Sequence, residues 1–291
     1  MHINMKYYIV TIGAIFIALG IGILVGFNLN NNEQLSEQQA NMINDLDEKF
    51  ELLKDKNDSL KGDLSKSTEK YNRAVAFINK NVDKLIDSTL TGKTVGIITL
   101  NENYDFSEGI TTTLDKTGAK VGFNIVLKDS IKQTAKLKEV SQKVGVDLST
   151  TEGAVKYITD ALNTEDASTK LEYLQELDVI KLNYLGSTYL NYDSVILSAG
   201  DDSKNAEKDF GKLDTYLIDS FKGQNKYIVE VQNSDVKTSY VEFYSKKKVA
   251  TIDNINEGSG NISLVTLLKQ GNKIGNFGTS KTAESLIPSE D

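Results

Sequence analysis

Residues Tyr7–Phe27 read YYIVTIGAIFIALGIGILVGF, 21 residues without a charged side chain. At ~1.5 Å per helical residue such a run spans the ~30 Å hydrocarbon layer of a bilayer, so 7–27 is read as a transmembrane helix. A cleaved signal peptide is the alternative, because Lys6 precedes the run. The apolar stretch is long for that, and no A-x-A site follows it, only Asn28–Asn32. Lys6 and the amino group lead the helix, and the next basic residue is Lys49. The positive-inside rule then puts residues 1–6 in the cytoplasm and everything after Phe27 outside: a single-pass cell-membrane protein with an extracytoplasmic C-terminal domain. Within the helix Ala14, Ala18, Gly22 and Gly26 recur every four residues and form a stripe on which a second helix can approach closely.

The next segment, 28–90, carries heptad spacing and is read as a coiled-coil stalk. Ile43, Phe50, Asn57, Leu64, Tyr71 and Ile78 occupy one core position; Leu46, Leu53, Leu60, Ser67 and Ala74 occupy the other. An apolar seam of this period buries itself best against a like helix, and Asn57 favours a two-stranded, in-register pairing. The stalk is on the order of 50 Å long. A parallel homodimer is the expected state. Packing of the helix on its own domain is the alternative, kept open by Gly62, Ser67 and Ala74.

From 91 to 278 short β-rich runs alternate with helical periods. The strands are Thr94–Leu100, Lys120–Leu127, Asp193–Ala199, Lys226–Val231 and Lys248–Ile252, near-continuously apolar as strands covered on both faces are. Helical spacing closed by glycine follows at Phe106–Gly118, Ala206–Gly223 and Ile262–Gly271. The expected class is α/β: an N-terminal transmembrane helix, a coiled-coil stalk, then a Rossmann-like, mostly parallel sheet. Residues 130–192 show helical patches without a convincing strand and are read as a helical insertion. The polar tail 279–291 is expected to be disordered.

Composition excludes much conventional chemistry. The 291 residues include no Cys, no Trp and one His, His2, and they carry a net charge of −8 with Arg73 as the sole arginine. Thiol catalysis, zinc knuckles and His-dependent triads fall away, and nucleic acid is an improbable partner for a chain without a basic face. No phosphate-binding glycine loop is present. Ligands in such sheets gather at the carboxyl ends of the strands. Those ends carry Glu102, Asp105, Asp201, Asp202, Asp235, Asp253 and Asn254, a rim for a cation or a basic partner, or equally a set of helix caps and turn residues. No pair of carboxylates is marked by spacing as catalytic, and no metal or other cofactor site is assigned.

The opening Y-x-x-x-x-G-A-I-F-I-A-L-G-I-G-I-L-V-G from Tyr8 to Gly26, the heptads, and Asp253-Asn254 before Gly258 and an apolar helix together resemble the MctB/SteB copper transporter family. The resemblance implies a single-pass envelope protein described in two ways: as a copper-resistance component, and as a partner of a peptidoglycan hydrolase in cell separation. Copper is implied by the family label alone, since Cu(I) sites use soft sulfur or imidazole, and after Met42 the chain has no Met, Cys or His. Three readings follow. A non-enzymatic scaffold or regulator of cell-wall remodelling predicts cell chaining on deletion with normal copper tolerance. A copper efflux or homeostasis component predicts copper sensitivity. A wall-directed hydrolase predicts loss of turnover when Asp201 and Asp202 become Asn.

Overall fold

The computed structural model describes residues 5–202 and 206–289, with the side chains of 29–34 set aside. Met1 and His2 therefore lie outside the described residues, as do the last two residues of the tail. The chain divides into two compact units, Met1–Asn72 and Arg73–Asp291.

Helix α1 runs from Met5 to Ile86. Its segment Met5–Asn28 is long and apolar enough to cross a membrane. Among the described residues, a Cβ placed at Gly13, Gly20, Gly22 or Gly26 would meet nothing. The heptad seam from Ile43 to Tyr71 is exposed. Ile78 departs from it, being half-buried. In the second unit Val82 and Ile86 pack into the domain core, which gives the end of α1 a role distinct from the stalk.

The strands β1 (Thr94–Thr99), β2 (Lys120–Leu127), β3 (Ile180–Leu185), β4 (Ser194–Ser198), β5 (Tyr227–Val231), β6 (Ala250–Ile252) and β7 (Asn276–Phe277) form one sheet in the order β3-β2-β1-β4-β5-β6-β7. All neighbours pair in parallel except β2 and β3. Helices cover both faces. Val95 and Ile97 of β1 and Ile196 of β4 pack with α2 (Ser107–Lys116), α9 (Gly258–Gln270) and the end of α1. Ile98, Val195 and Leu197 face the other layer, built from α3 (Thr134–Val144), α4 (Thr151–Ala161), α5 (Ala167–Glu176), α6 (Ala206–Lys212), α7 (Asp214–Gly223) and α8 (Val241–Lys246). Period-two alternation thus feeds two apolar cores, as an α/β sheet requires.

Several expectations need correction. Segment 130–192 is not purely helical: it ends in β3, an antiparallel edge strand whose residues are mostly half-buried or exposed. The single helix read over Ala206–Gly223 breaks into α6 and α7 at Leu213, where φ is −130° and ψ −60°. The tail is hydrogen-bonded to the domain as far as Ser289. Gly278 N–H donates to Ser285 O, Glu284 N–H donates to Asn276 O, and Ser289 O accepts Lys273 Nζ at 2.6 Å. Both outer strands are blunted. Ser285 bridges to Phe277 beyond β7. On β3 a register shift interrupts the pairing, and Gln175 Oε1 accepts the Leu182 N–H at 2.8 Å.

Candidate functional site at the carboxyl edge of the sheet

β1, β4, β5 and β6 are adjacent and parallel, so the loops that follow them share one edge. The rim residues read from sequence sit on those loops, but they separate into three groups.

The first group lies beyond β1. Asn101 caps a 3₁₀ turn by accepting the Asn103 N–H at 3.0 Å. Asp105 Oδ1 accepts the Ser107 N–H at 3.0 Å and the Thr99 hydroxyl at 3.2 Å, which anchors the start of α2. Asp105 thus works as a helix-start cap. Glu102 is exposed, and its charge acts on Lys128 beyond β2.

The second group gathers around a phenol. Burial and the charges of Asp202, Asp201 and Asp235, in that order, push the Tyr104 hydroxyl above its ordinary range, so the loops after β4 and β5 bring carboxylates toward a ring on the loop after β1. Gly200, at φ +87°, makes the turn after β4; a Cβ there would lie 3.0 Å from Val236. Asp201 then exchanges backbone hydrogen bonds with Thr238, and its carboxylate accepts the Tyr240 hydroxyl at 2.9 Å. Asp202 is exposed and lies 3.9 Å from Lys237 Nζ. Gln232 holds the loop after β5, accepting the Tyr240 N–H at 3.0 Å and donating to Ser239 at 2.9 Å.

The third group is buried under the tail. Asp253 accepts the Thr279 N–H at 2.7 Å and the Ser280 N–H at 2.8 Å. A Cβ on Gly278, at φ +129°, would collide with this carboxylate. Asn254 donates to Ser259 at 2.9 Å and to Glu257 at 3.2 Å, while its own side-chain oxygen has no partner among the described residues.

Two carboxylic acids that the sequence reading did not single out lie beneath the rim. Asp214, at the start of α7, is 4% exposed and accepts the Tyr244 hydroxyl at 2.7 Å. Burial pushes its pKa up to about 7, partly offset by that hydrogen bond. Glu230, inside β5, is fully buried, and among the described residues neither of its oxygens has a partner. Burial, then the charges of Asp214 and Asp253, raise it well above the usual carboxylate range. An acid in such a place holds its proton, because ionising it without a partner costs several kcal/mol, on the order of what desolvating a lone charge demands. A carboxylate inside an otherwise apolar strand, Tyr227-Ile-Val-Glu-Val231, is the signal that would have found it.

At the switch point between β1 and β4, where a sheet of this order opens a crevice, the recess bordered by Asn101, Lys132, Asp201, Asp214 and Tyr240 has a volume of only about 20 Å³, room for about one water molecule. A larger open groove of about 880 Å³ lies away from it, between α2 and the β2–β3 edge. Among the described residues no group of three or more His, Cys, Asp or Glu is placed to hold a metal ion. Copper would be cargo here, and the donor set does not suit Cu(I): the described soft side chains are Met5 and Met42, both on α1.

No curated protein matches the chain. The family described as "Copper transport outer membrane protein, MctB" matches residues 2–288. With an N-terminal helix fit to cross a membrane and a match over nearly its whole length, the chain belongs to the MctB family and is a copper-related protein of the cell envelope.

Proposed function

We propose that the chain is a single-pass envelope protein, its N-terminus cytoplasmic and its α/β unit extracytoplasmic, that acts without chemistry of its own as a scaffold or regulator alongside a peptidoglycan hydrolase in cell separation. The observation that carries this reading is how the chain uses its own rim. Asp105, Asp201 and Asp253 accept hydrogen bonds that shape the loops, and the switch-point recess is about 20 Å³. A substrate-sized site at a strand edge needs several hundred Å³, roughly 300 or more. What remains outward is surface: Glu102, Asp202 and Asp235 are exposed, and an open groove runs along α2. Such surface suits recognition of another protein. Copurification from crosslinked membranes tests the reading. Recovery of a wall-lytic enzyme, with cell chaining on deletion, is expected; recovery of none, with normal separation, would refute it.

The family description favours a second reading, copper homeostasis. Deletion would then sensitise cells to copper without chaining them, and the two phenotypes separate the readings in one strain.

A further inference from the structure

The heptad seam of α1 is an unpartnered apolar stripe whose flanking charges bear on what covers it. Leu46, Phe50, Leu53, Leu60 and Leu64 are 60–71% exposed. Lys49 and Lys56 stand immediately before the core positions Phe50 and Asn57, and Lys54 and Lys61 immediately after the core positions Leu53 and Leu60. These are the positions that meet across a two-stranded coiled coil and set the choice of partner. Two copies anchored in one bilayer by their N-terminal helices run parallel. In register, Lys49 of one copy then faces Lys54 of the other, and Lys56 faces Lys61. Symmetry doubles both contacts. The neighbouring pairs supply no compensation, since Asp63 faces Thr68 and Met42 faces Asp47. Asp58, exposed and 3.9 Å from Lys61 on the same helix, gives partial local relief.

We infer that the seam between Ile43 and Tyr71 pairs with a helix of a different protein, one with an apolar heptad stripe, carboxylates at the flanking positions and a polar amide opposite Asn57. Each Lys–Lys contact of the self-pair becomes an ion pair, while the apolar burial is the same in either case. Asn57 fixes the register, because an amide in the seam is satisfied only by a polar residue at the same level. The expected homodimer becomes the competitor. This inference deepens the scaffold reading and rests on it only in taking the partner to be a protein.

The test uses the full chain in detergent micelles and two synthetic four-heptad peptides. Both carry the same apolar seam with one Asn; one has Glu at the flanking positions and the other Lys. The chain has no cysteine, so Leu60→Cys places a single thiol in the seam for disulfide trapping. The Glu peptide is expected to bind at least about tenfold more tightly than the Lys peptide at low salt, and the difference to shrink as salt rises. The quadruple variant K49E/K54E/K56E/K61E reverses the preference, while the corresponding Lys→Arg variant keeps it. The L60C chain is expected to form its disulfide with a Cys-bearing Glu peptide. Crosslinking of L60C chains to one another to completion in the presence of that peptide overturns the inference in favour of a second copy. Equal binding of the two peptides, or binding of neither, also overturns it. No hydrolase enters the assay, so its failure leaves the copurification test of the scaffold reading intact.

Discussion

Asn79 Oδ1 accepts the backbone N–H of Gly258 at 2.8 Å. A residue near the end of α1 thereby supplies the acceptor that the first turn of α9 lacks from its own N-cap, Glu257, which makes no side-chain capping bond. The four leading N–H groups of a helix need such partners.

Replacing Asn79 with Ala is expected to destabilise the unit Arg73–Asp291 by about 1–2 kcal/mol, the usual cost of losing a cap together with a partly buried hydrogen bond. Gly258→Ala is expected to act at the same place, because its Cβ would lie 2.6 Å from Asn79 Oδ1 and 3.1 Å from Asn79 Cα. Denaturant melts of both single variants and the double variant check this. The double variant should lose less than the sum of the two, as contacting residues do.

Glu230 and Asp214 make the fold sensitive to alkali. Both folded-state pKa values lie above their ordinary values of 4.5 and 3.8. Only below about pH 3 do both states hold nearly all of these protons, and there the penalty is small. As pH rises, the unfolded chain releases them first, and stability falls until the folded pKa is passed, about 7 for Asp214. Each group contributes a slope of up to about 1.4 kcal/mol per pH unit in its window. Glu230→Gln removes the ionisable group at nearly constant volume. Denaturant midpoints should be lower at pH 8 than at pH 5 for the native chain, with a smaller difference for E230Q; an unchanged difference would count against Glu230.

Asp253 clamps the tail through the Thr279 and Ser280 amides. Asp253→Ala should release it locally while the sheet stays folded. Trypsin cleavage after the exposed Lys281 is expected to accelerate about tenfold or more, equivalent to about 1.4 kcal/mol of local opening. Mass spectrometry of the clipped product reads the effect, and D253N should fall between the two because it keeps one acceptor.

Carboxylates around Tyr104 are not expected to hold copper. Changing Asp201, Asp202 and Asp235 together to Asn should alter the retention of Cu(I) by the full chain, in competition with a chelator, by less than about twofold, since oxygen donors are poor ligands for a soft cation. A larger loss would place a copper site at the rim.

The parallel strands β1, β2, β4, β5 and β6 were legible because strands buried on both faces are apolar almost throughout, as in TVGIIT and SVILS, whereas β7, two residues long, was not read. β3 escaped notice for the opposite reason. As an edge strand it exposes Lys181, Asn183 and Tyr184, and such a sequence does not differ from a loop. The break at Leu213 was missed because the apolar spacing runs through it, although Gly211, two residues earlier, was the one mark the sequence carried. At the rim, sequence supplied the residues and the topology supplied their common edge. It could not show that Asp105 anchors the start of α2, that Asp201 is tied to the loop after β5 or that Asp253 holds the tail, nor that Glu230 sits without a partner among the described residues. Those facts depend on contacts between distant segments, such as Asp253 with Ser280 and Asp214 with Tyr244.

The blunting of the two outer strands matters for a molecule held in two dimensions. Copies confined to a bilayer meet far more often than copies in solution, and an open strand is a template on which neighbours zip together into fibrils. Here Ser285 occupies one margin, while Gln175 and a slipped register spoil the other. Crowding can therefore bring these domains side by side without letting their backbones polymerise.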